Sequence, residues 1–186
     1  MPTMNNTFSA QAEHDKAPVA RPSWRFMAAH PARWLALGFG AGLARVAPGT
    51  VGTLWAWAAY LVLDIWLSTT AWLALIGIGF VVGCWACKVC AQHMQVMDSS
   101  HMVWDEVIAF WLVLLLVMPQ GLLGQAVAFG LFRLFDAVKF GPTAWADQHF
   151  KGFGWRGGFG VMFDDIVAAA LTLLVWAIGL RIWEGI

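Results

Sequence analysis

The sequence has little charge, and this scarcity excludes several kinds of protein. Only 12% of the 186 residues are charged, and eleven Lys and Arg balance eleven Asp and Glu. With no net charge and no basic stripe, the chain lacks the electrostatic footprint of a nucleic-acid-binding protein. No nucleic-acid partner is therefore expected. Cysteine is also scarce: it occurs only three times, an odd number that argues against a framework of disulfides.

Apolar side chains are abundant where charged ones are scarce. They account for 60% of the residues, above the ~45–50% that is usual for soluble domains. Tryptophan occurs 13 times against a single tyrosine, and its amphipathic ring suits the headgroup boundary of a bilayer. The composition predicts an integral membrane protein of one domain. A very apolar soluble helical domain is the alternative.

The first 23 residues differ from the rest. They are polar, mixed in charge and contain three prolines, which predicts a disordered N-terminal tail. No apolar core follows a basic start, so a secretory signal is not expected. Residues 24–37 mix arginine with aromatic side chains, which indicates an interfacial helix interrupted near Pro31 or a plain surface helix. Residues 24–186 are predicted to form the helical membrane domain.

Five apolar runs are too long for strands. A full crossing needs ~20 apolar residues, so several of these runs are short. The predicted fold is all-α and polytopic, with about five membrane-embedded helices, some of them short or re-entrant. The runs cover residues 53–67, 71–87, 107–118, 122–135 and 166–180.

Basic residues assign the sides of the membrane. Four arginines precede the first run, and four Lys and Arg lie from position 133, near the end of the fourth run, to position 156, before the fifth. Because basic loops stay in the cytoplasm, five crossings with a cytoplasmic N-terminus are predicted. Three cysteines at positions 84, 87 and 90 superficially match an iron–sulfur run, but there is no fourth cysteine. They are interpreted as small residues that pack within one helix.

The acidic residues lie at the margins of the apolar runs. Asp105 and Glu106 precede the third run, Asp136 follows the fourth, and Asp164 and Asp165 precede the fifth. Under the predicted topology all five face the cytoplasm. Carboxylates beside a membrane are costly to desolvate, and clustered carboxylates hold hard cations such as Mg²⁺. Acidic residues at a helix start also stabilise the helix dipole, so their presence alone is not diagnostic.

Two further segments could bind an anion. Gly49, Thr50, Gly52 and Thr53 open the first run, where free backbone N–H groups favour phosphate. An ordinary turn with a threonine N-cap remains equally consistent with that segment. Arg133 and Lys139 flank Asp136 at helical spacing, which indicates either a phosphate clamp or a salt-bridged stripe.

The glycine-rich residues 152–160 contain a G-x-G-x-x-G pattern, but no strand precedes it and dinucleotide binding is rejected. A flexible loop that delivers Asp164 and Asp165 to a helix start is predicted instead. His101, four residues before Asp105, is predicted to be a structural or supporting residue.

Taken together, these motifs resemble the phosphatidylglycerophosphatase A family, from about residue 34 to the C-terminus. The matching stretches are residues 38–53, 103–106, 132–136 with Lys139, and 157–165. Phe140 departs from the pattern, because a proline is expected directly after the lysine. The resemblance implies Mg²⁺-dependent hydrolysis of phosphatidylglycerol phosphate to phosphatidylglycerol and phosphate. It also implies a multi-pass protein of the bacterial cytoplasmic membrane, with its lipid bilayer as a partner and its active site facing the cytoplasm.

The resemblance also leads to a hypothesis for each candidate residue. Asp105, Glu106, Asp136 and Asp165 are the catalytic candidates, and together with Asp164 they are the candidate Mg²⁺ ligands. Gly49, Thr50, Gly52, Thr53, Arg133 and Lys139 are the candidate phosphate-binding residues.

Two other functions remain as alternatives. A CDP-alcohol phosphotransferase-like enzyme would need a spaced Asp-Gly and Ala-Arg signature, which is missing. A cation transporter would place carboxylates near the middle of the bilayer, for which only Asp64 is a candidate.

Overall fold

The computed structural model describes residues 21–117, 121–138, 141–150 and 152–185. These residues form helices and no strands, so the predicted all-α class is confirmed for this part of the chain. Eight α-helices and one 3₁₀ helix follow one another along it. They are α1 (Trp24–Ala28), α2 (Pro31–Ala36), the 3₁₀ helix (Gly38–Leu43), α3 (Pro48–Leu63), α4 (Thr69–Met94), α5 (Trp104–Val117), α6 (Leu122–Val138), α7 (Pro142–His149) and α8 (Trp155–Glu184).

The predicted interruption near Pro31 is confirmed. α1 ends at Ala28, and α2 begins at Pro31, where the missing N–H of proline costs no hydrogen bond. Side chains cap both helices: Ser23 Oγ accepts from Phe26 N at 3.2 Å, and His30 Nδ1 accepts from Ala32 N at 3.2 Å. Residues 1–20, which include most of the predicted tail, lie outside the described residues.

Helix α5 is the centre of the bundle. Almost all of its side chains are buried, because it contacts α3, α4, α6 and α8. Two of its tryptophans donate hydrogen bonds to carbonyl groups of neighbouring helices. Trp104 Nε1 donates to Gly79 O at 3.0 Å, and Trp111 Nε1 donates to Ala56 O at 2.8 Å. These bonds satisfy the indole N–H groups in an apolar core and fix the position of α5 against α3 and α4.

The three cysteines lie within one helix, as predicted. Cys84, Cys87 and Cys90 are all in α4, where they are buried and free of disulfides. Their apolar surroundings and their small size agree with a packing role.

The prediction of a flexible glycine loop before Asp164 and Asp165 is wrong. α8 begins at Trp155, so Gly157, Gly158 and Gly160 lie inside the helix and the two aspartates come in its third turn. The glycines are needed for close packing rather than for flexibility. A Cβ at position 157 would overlap the carbonyl oxygen of Gly152, and one at position 158 would overlap that of Cys84.

In the part of the chain that the structure describes, two helices are long and apolar enough to cross a membrane, α4 and residues Trp155–Trp183 of α8. Three other helices coincide with predicted membrane segments but are shorter than a full crossing requires: α3 has 16 residues, α5 has 14 and α6 has 17. Five crossings therefore stay a prediction. The turn predicted at residues 119–121 lies largely outside the described residues.

Candidate active site

Four helices contribute to one cavity of about 300 Å³ at an end of the bundle. The start of α3, the start of α5, the end of α6 and the third turn of α8 all reach it, because the helices alternate in direction. All five carboxylates singled out in the sequence lie on its wall, together with one arginine. These residues are Asp105, Glu106, Asp136, Asp164, Asp165 and Arg133.

The segment before α5 holds the acidic pair in place. Val103 N donates to Ala36 O at 2.9 Å, and a ring nitrogen of His101 lies 2.7 Å from Gly42 O. These two contacts tie the start of α5 to α2 and to the 3₁₀ helix. His101 is therefore a structural residue, as predicted, and it does not line the cavity.

Arg133 is the basic residue that the structure places on the cavity wall. Its Nη1 donates to Glu106 Oε1 at 3.1 Å and to Asp136 Oδ2 at 2.5 Å. The Thr53 hydroxyl lies 3.5 Å from the same nitrogen. The three charged side chains are 11–19% exposed, so this is a largely desolvated network rather than a surface ion pair. The i,i+3 pair Arg133–Asp136 predicted from the sequence is present.

Two carboxylate oxygens on this wall are buried and have no hydrogen-bond partner among the described residues. They are Glu106 Oε2 and Asp165 Oδ2. Asp165 is only 4% exposed, and Glu106 is 9% exposed. A buried carboxylate oxygen without a donor is costly, so such a pair marks a place suited to binding a cation or to chemistry.

The family model for phosphatidylglycerophosphatase A matches residues 34–180 of the chain. The chain belongs to the phosphatidylglycerophosphatase A family. It is 33% identical to the phosphatidylglycerophosphatase A of Escherichia coli over 148 residues, which cover 80% of this chain and 83% of the relative. It is 34% identical to that of Haemophilus influenzae over 146 residues, which cover 78% and 86% of the two chains. The resemblance inferred from the motifs is confirmed, and the protein is a phosphatase.

Another relative bears a different name. A putative phosphatidylinositol-3-phosphatase of Bacteroides thetaiotaomicron is 34% identical over 153 residues, which cover 76% of this chain and 92% of that protein. No solved structure matches the chain.

The first turn of α5 lies outside both candidate spans, and its acidic pair is strongly perturbed. The pKa of Glu106 is raised to about 8, first by burial and then by the charge of Asp136, while Arg133 opposes both effects. Burial, followed by the charges of Glu106 and Asp164, raises the pKa of Asp105 well above its ordinary value. Among the described residues, the cavity wall therefore carries more carboxyl groups than Arg133 can offset.

Of the predicted phosphate-binding segment, only Gly49 reaches the cavity wall. Gly49 is buried, and a Cβ there would overlap Glu106 Oε1 and lie 3.0 Å from Arg133 Nη2. Thr53 is fully buried and donates to Gly49 O at 2.9 Å, and Gly52 packs against Val103. Thr50 is half-buried and does not line the cavity. Lys139 lies outside the described residues.

Sequence reasoning missed the loop between α4 and α5. Asp98, Ser99 and Ser100 from this loop also line the cavity. The signal was present, because a short polar segment precedes the acidic pair on the side predicted to be cytoplasmic. A lone aspartate in a loop is too common to single out without the fold.

Within the described residues, no three His, Cys, Asp or Glu side chains are already arranged as ligands of one metal ion. The chemistry of the wall nevertheless fits a hard cation. It offers carboxylate oxygens, which are the ligands that Mg²⁺ prefers, and two of them are buried without a donor.

Proposed function

We propose that this protein hydrolyses the terminal phosphate monoester of phosphatidylglycerol phosphate in a Mg²⁺-dependent reaction, releasing phosphatidylglycerol and inorganic phosphate. The observation that carries the proposal is the cavity at the end of the bundle, where carboxylates from three helices surround one arginine. Family membership supports the same activity, since two relatives carry the name phosphatidylglycerophosphatase A.

The depth of the cavity supports a lipid substrate. Asp165 is followed by residues 166–184 of α8, which are 19 residues and about 28 Å of helix. The hydrocarbon core of a bilayer is about 30 Å thick. A crossing by this part of α8 puts the aspartates at the membrane boundary, which is where a lipid presents its phosphate.

The bound cation would be held by carboxylates that Arg133 does not already neutralise. Arg133 pairs with Glu106 and Asp136, whereas Asp105 and Asp165 have no basic partner among the described residues. We therefore assign Asp105 and Asp165 as the first Mg²⁺ ligands, with Glu106, Asp136 and Asp164 next to them on the wall. When bound, Mg²⁺ would neutralise phosphoryl oxygens and lower the pKa of a coordinated water.

Arg133 binds the substrate phosphate in this mechanism. Its guanidinium is planar and always charged, and it offers two parallel donors to non-bridging oxygens. Glu106 and Asp136 hold that plane in a fixed orientation before the substrate arrives. A phosphate monoester carries about two negative charges, so positioning and charge neutralisation account for most of the catalysis.

Glu106 connects the arginine to the reacting centre. Its Oε1 accepts from Arg133, and its Oε2 is buried in the cavity without a donor. Oε2 is therefore placed to take a proton from the attacking group while Arg133 keeps the carboxylate oriented. Gly49 allows this arrangement, because only a residue without a Cβ fits against the carboxylate.

The basic residues that flank the apolar runs support a position of the cavity on the cytoplasmic side of the inner membrane, in a protein of five crossings. Asp64 does not favour a transporter. It caps the opposite end of α3 and accepts from Trp72 Nε1 at 2.9 Å, about 24 Å along the helix from Pro48. The described carboxylates on the cavity wall lie at one end of the bundle rather than at its middle.

Phosphate release from phosphatidylglycerol phosphate by the purified protein in detergent tests the proposal. We expect release with Mg²⁺ and none with a chelator, and a loss of at least about 100-fold for Asp165→Asn. Asp64→Asn is the matched control, since it makes the same change at the far end of α3. Equal rates with and without Mg²⁺, or an Asp165→Asn variant as active as the wild type, would refute the proposal. Phosphatidylinositol 3-phosphate is the competing substrate to include.

A further inference from the structure

A second, smaller cavity adjoins the acidic one. Only about 20 Å³ of it is open to a water-sized group, which is room for about one water molecule or one hydroxyl group. Asp98 and Asp164 line both cavities and so form the wall that the two share. The remainder of the small cavity is mainly apolar, with Met97, Phe150 and Val161 among its lining residues.

The shared wall is suited to a hydroxyl donor. Carboxylate oxygens accept strongly from an O–H group. The small cavity has room for the hydroxyl itself, while the carbon atom that bears it would stay in the larger cavity. On the larger cavity's side of the wall lies Asp165, the proposed Mg²⁺ ligand, whose buried Oδ2 has no hydrogen-bond partner among the described residues.

The proposed substrate has a hydroxyl in the corresponding place. In phosphatidylglycerol phosphate the glycerol that carries the terminal phosphate bears a free hydroxyl on its adjacent carbon. When the phosphate lies beside Arg133, that hydroxyl is within a few bonds of the reacting oxygen. Phosphatidic acid, whose phosphate is attached directly to diacylglycerol, has no such group.

We propose that Asp98 is a specificity-determining residue, which binds the free hydroxyl of the substrate glycerol at the junction of the two cavities and so favours phosphatidylglycerol phosphate over phosphatidic acid. This inference rests on the proposed function. It assigns a role to an exposed loop aspartate that is not one of the five carboxylates identified from the sequence.

The loop that carries Asp98 has a defined conformation. Gln95 ends α4 in a left-handed conformation with φ of 56°. Ser99 is buried; its carbonyl oxygen accepts from Met102 N at 2.8 Å and its hydroxyl from His101 N at 3.4 Å. Because Ser99 is fixed to the start of α5, its neighbour Asp98 is held at a constant place on the cavity wall. A fixed acceptor can discriminate between substrates, which a mobile one cannot do.

The test compares kcat/KM for phosphatidylglycerol phosphate and for phosphatidic acid with the same acyl chains, in the same detergent and with Mg²⁺. We expect Asp98→Ala to lower the ratio of the two values by about 10- to 100-fold, as the loss of one hydrogen bond to a charged acceptor does. Met97→Trp should fill the small cavity from its exposed side without removing a carboxylate. It should therefore also lower the ratio of kcat/KM for phosphatidylglycerol phosphate to kcat/KM for phosphatidic acid. Asp64→Asn should leave the ratio unchanged.

The outcomes separate this inference from the function on which it rests. If the wild type releases no phosphate from phosphatidylglycerol phosphate, the proposed function fails. If the wild type is active but Asp98→Ala lowers kcat/KM for the two substrates equally, or changes neither of them, the specificity role is refuted and the proposed function stands. Because Asp98 is exposed, its replacement should leave the fold intact, which an unchanged thermal unfolding temperature of the variant would show.

Discussion

Gly49 offers the sharpest test of the site, because a single methyl group there would disturb the ion pair without removing any charge. In Gly49→Ala the new Cβ would overlap Glu106 Oε1 and lie 3.0 Å from Arg133 Nη2. Ordinary contacts between such atoms are about 3.5 Å or more. The carboxylate of Glu106, or the whole start of α3, must therefore move by more than about 1 Å.

A displacement of that size predicts a large effect on activity and a small one on stability. A 1 Å misplacement of catalytic groups can lower the rate by about 100-fold, and we expect a loss of this order in kcat/KM. Alanine in place of glycine in a helix contributes about 1 kcal/mol to the free energy of unfolding, whereas overpacking costs about 1–3 kcal/mol. The net change in the free energy of unfolding is thus small, and the folded population at the assay temperature stays near that of the wild type.

The assay is phosphate release from phosphatidylglycerol phosphate, with thermal unfolding measured on the same preparation. Gly77→Ala in α4 is the matched control, because a Cβ there meets no atom within 4 Å. It should keep full activity and gain up to about 1 kcal/mol in stability. A Gly49→Ala variant with wild-type kcat/KM would show that the Glu106–Arg133 pair does not have to be held in place, and the mechanism would fail.

Three other changes test separate parts of the structure. Arg133→Lys keeps the charge but loses the planar pair of donors, so kcat/KM for phosphatidylglycerol phosphate should fall by about 10- to 100-fold, and wild-type kinetics would contradict a bidentate phosphate contact. Mg²⁺ at 100 times its dissociation constant should stabilise the wild type by about 2.7 kcal/mol in thermal unfolding. Asp105→Asn should lose most of that gain; an equal gain in both proteins would exclude Asp105 as a ligand. Gly158→Ala should lower stability by about 1–3 kcal/mol with a wild-type KM, since its Cβ would overlap Cys84 O; an unchanged unfolding temperature would refute the close packing of α8 on α4.

The sequence predicted those parts of the site that depend on helix ends. Asp105 and Glu106 precede a long apolar run, and α5 does begin at Trp104. Arg133 and Asp136 are three residues apart, and this spacing brings them together on one helix. Alternating helix directions then bring the starts of α3 and α5 and the end of α6 to the same side of the bundle. The apolar runs and the position of the charges were enough for these elements, because no long-range contact was needed to infer them.

The sequence was insufficient where the same local pattern is compatible with two different structures. Asp98 was not identified, because nothing local distinguishes a loop aspartate on a cavity wall from one in solvent. Apart from the interruption near Pro31, the ends of the short helices were not predicted, since a cap such as His30 is not one of the residue types that usually begin a helix. Residues 53–67 were predicted as the first apolar segment, but α3 covers Pro48–Leu63, and the final part of the run forms a turn that ends at the start of α4.

The glycines of α8 show most clearly why the local pattern was ambiguous. Glycine is unfavourable in a helix by about 1 kcal/mol relative to alanine, so a segment rich in glycine predicts a loop. Here that cost is offset by contacts that no other residue permits: a Cβ at Gly157, Gly158 or Gly160 would run into the backbone or side chains of Gly152, Cys84 or Phe150. The early start of α8 decides where its two aspartates lie. Because the helix starts at Trp155 and not at Asp164, its first three turns pack against α4 and α7, and the two aspartates enter the cavity from a rigid helix. A site built on a helix holds its carboxylates at fixed separations, as the positioning of a phosphate beside Arg133 requires.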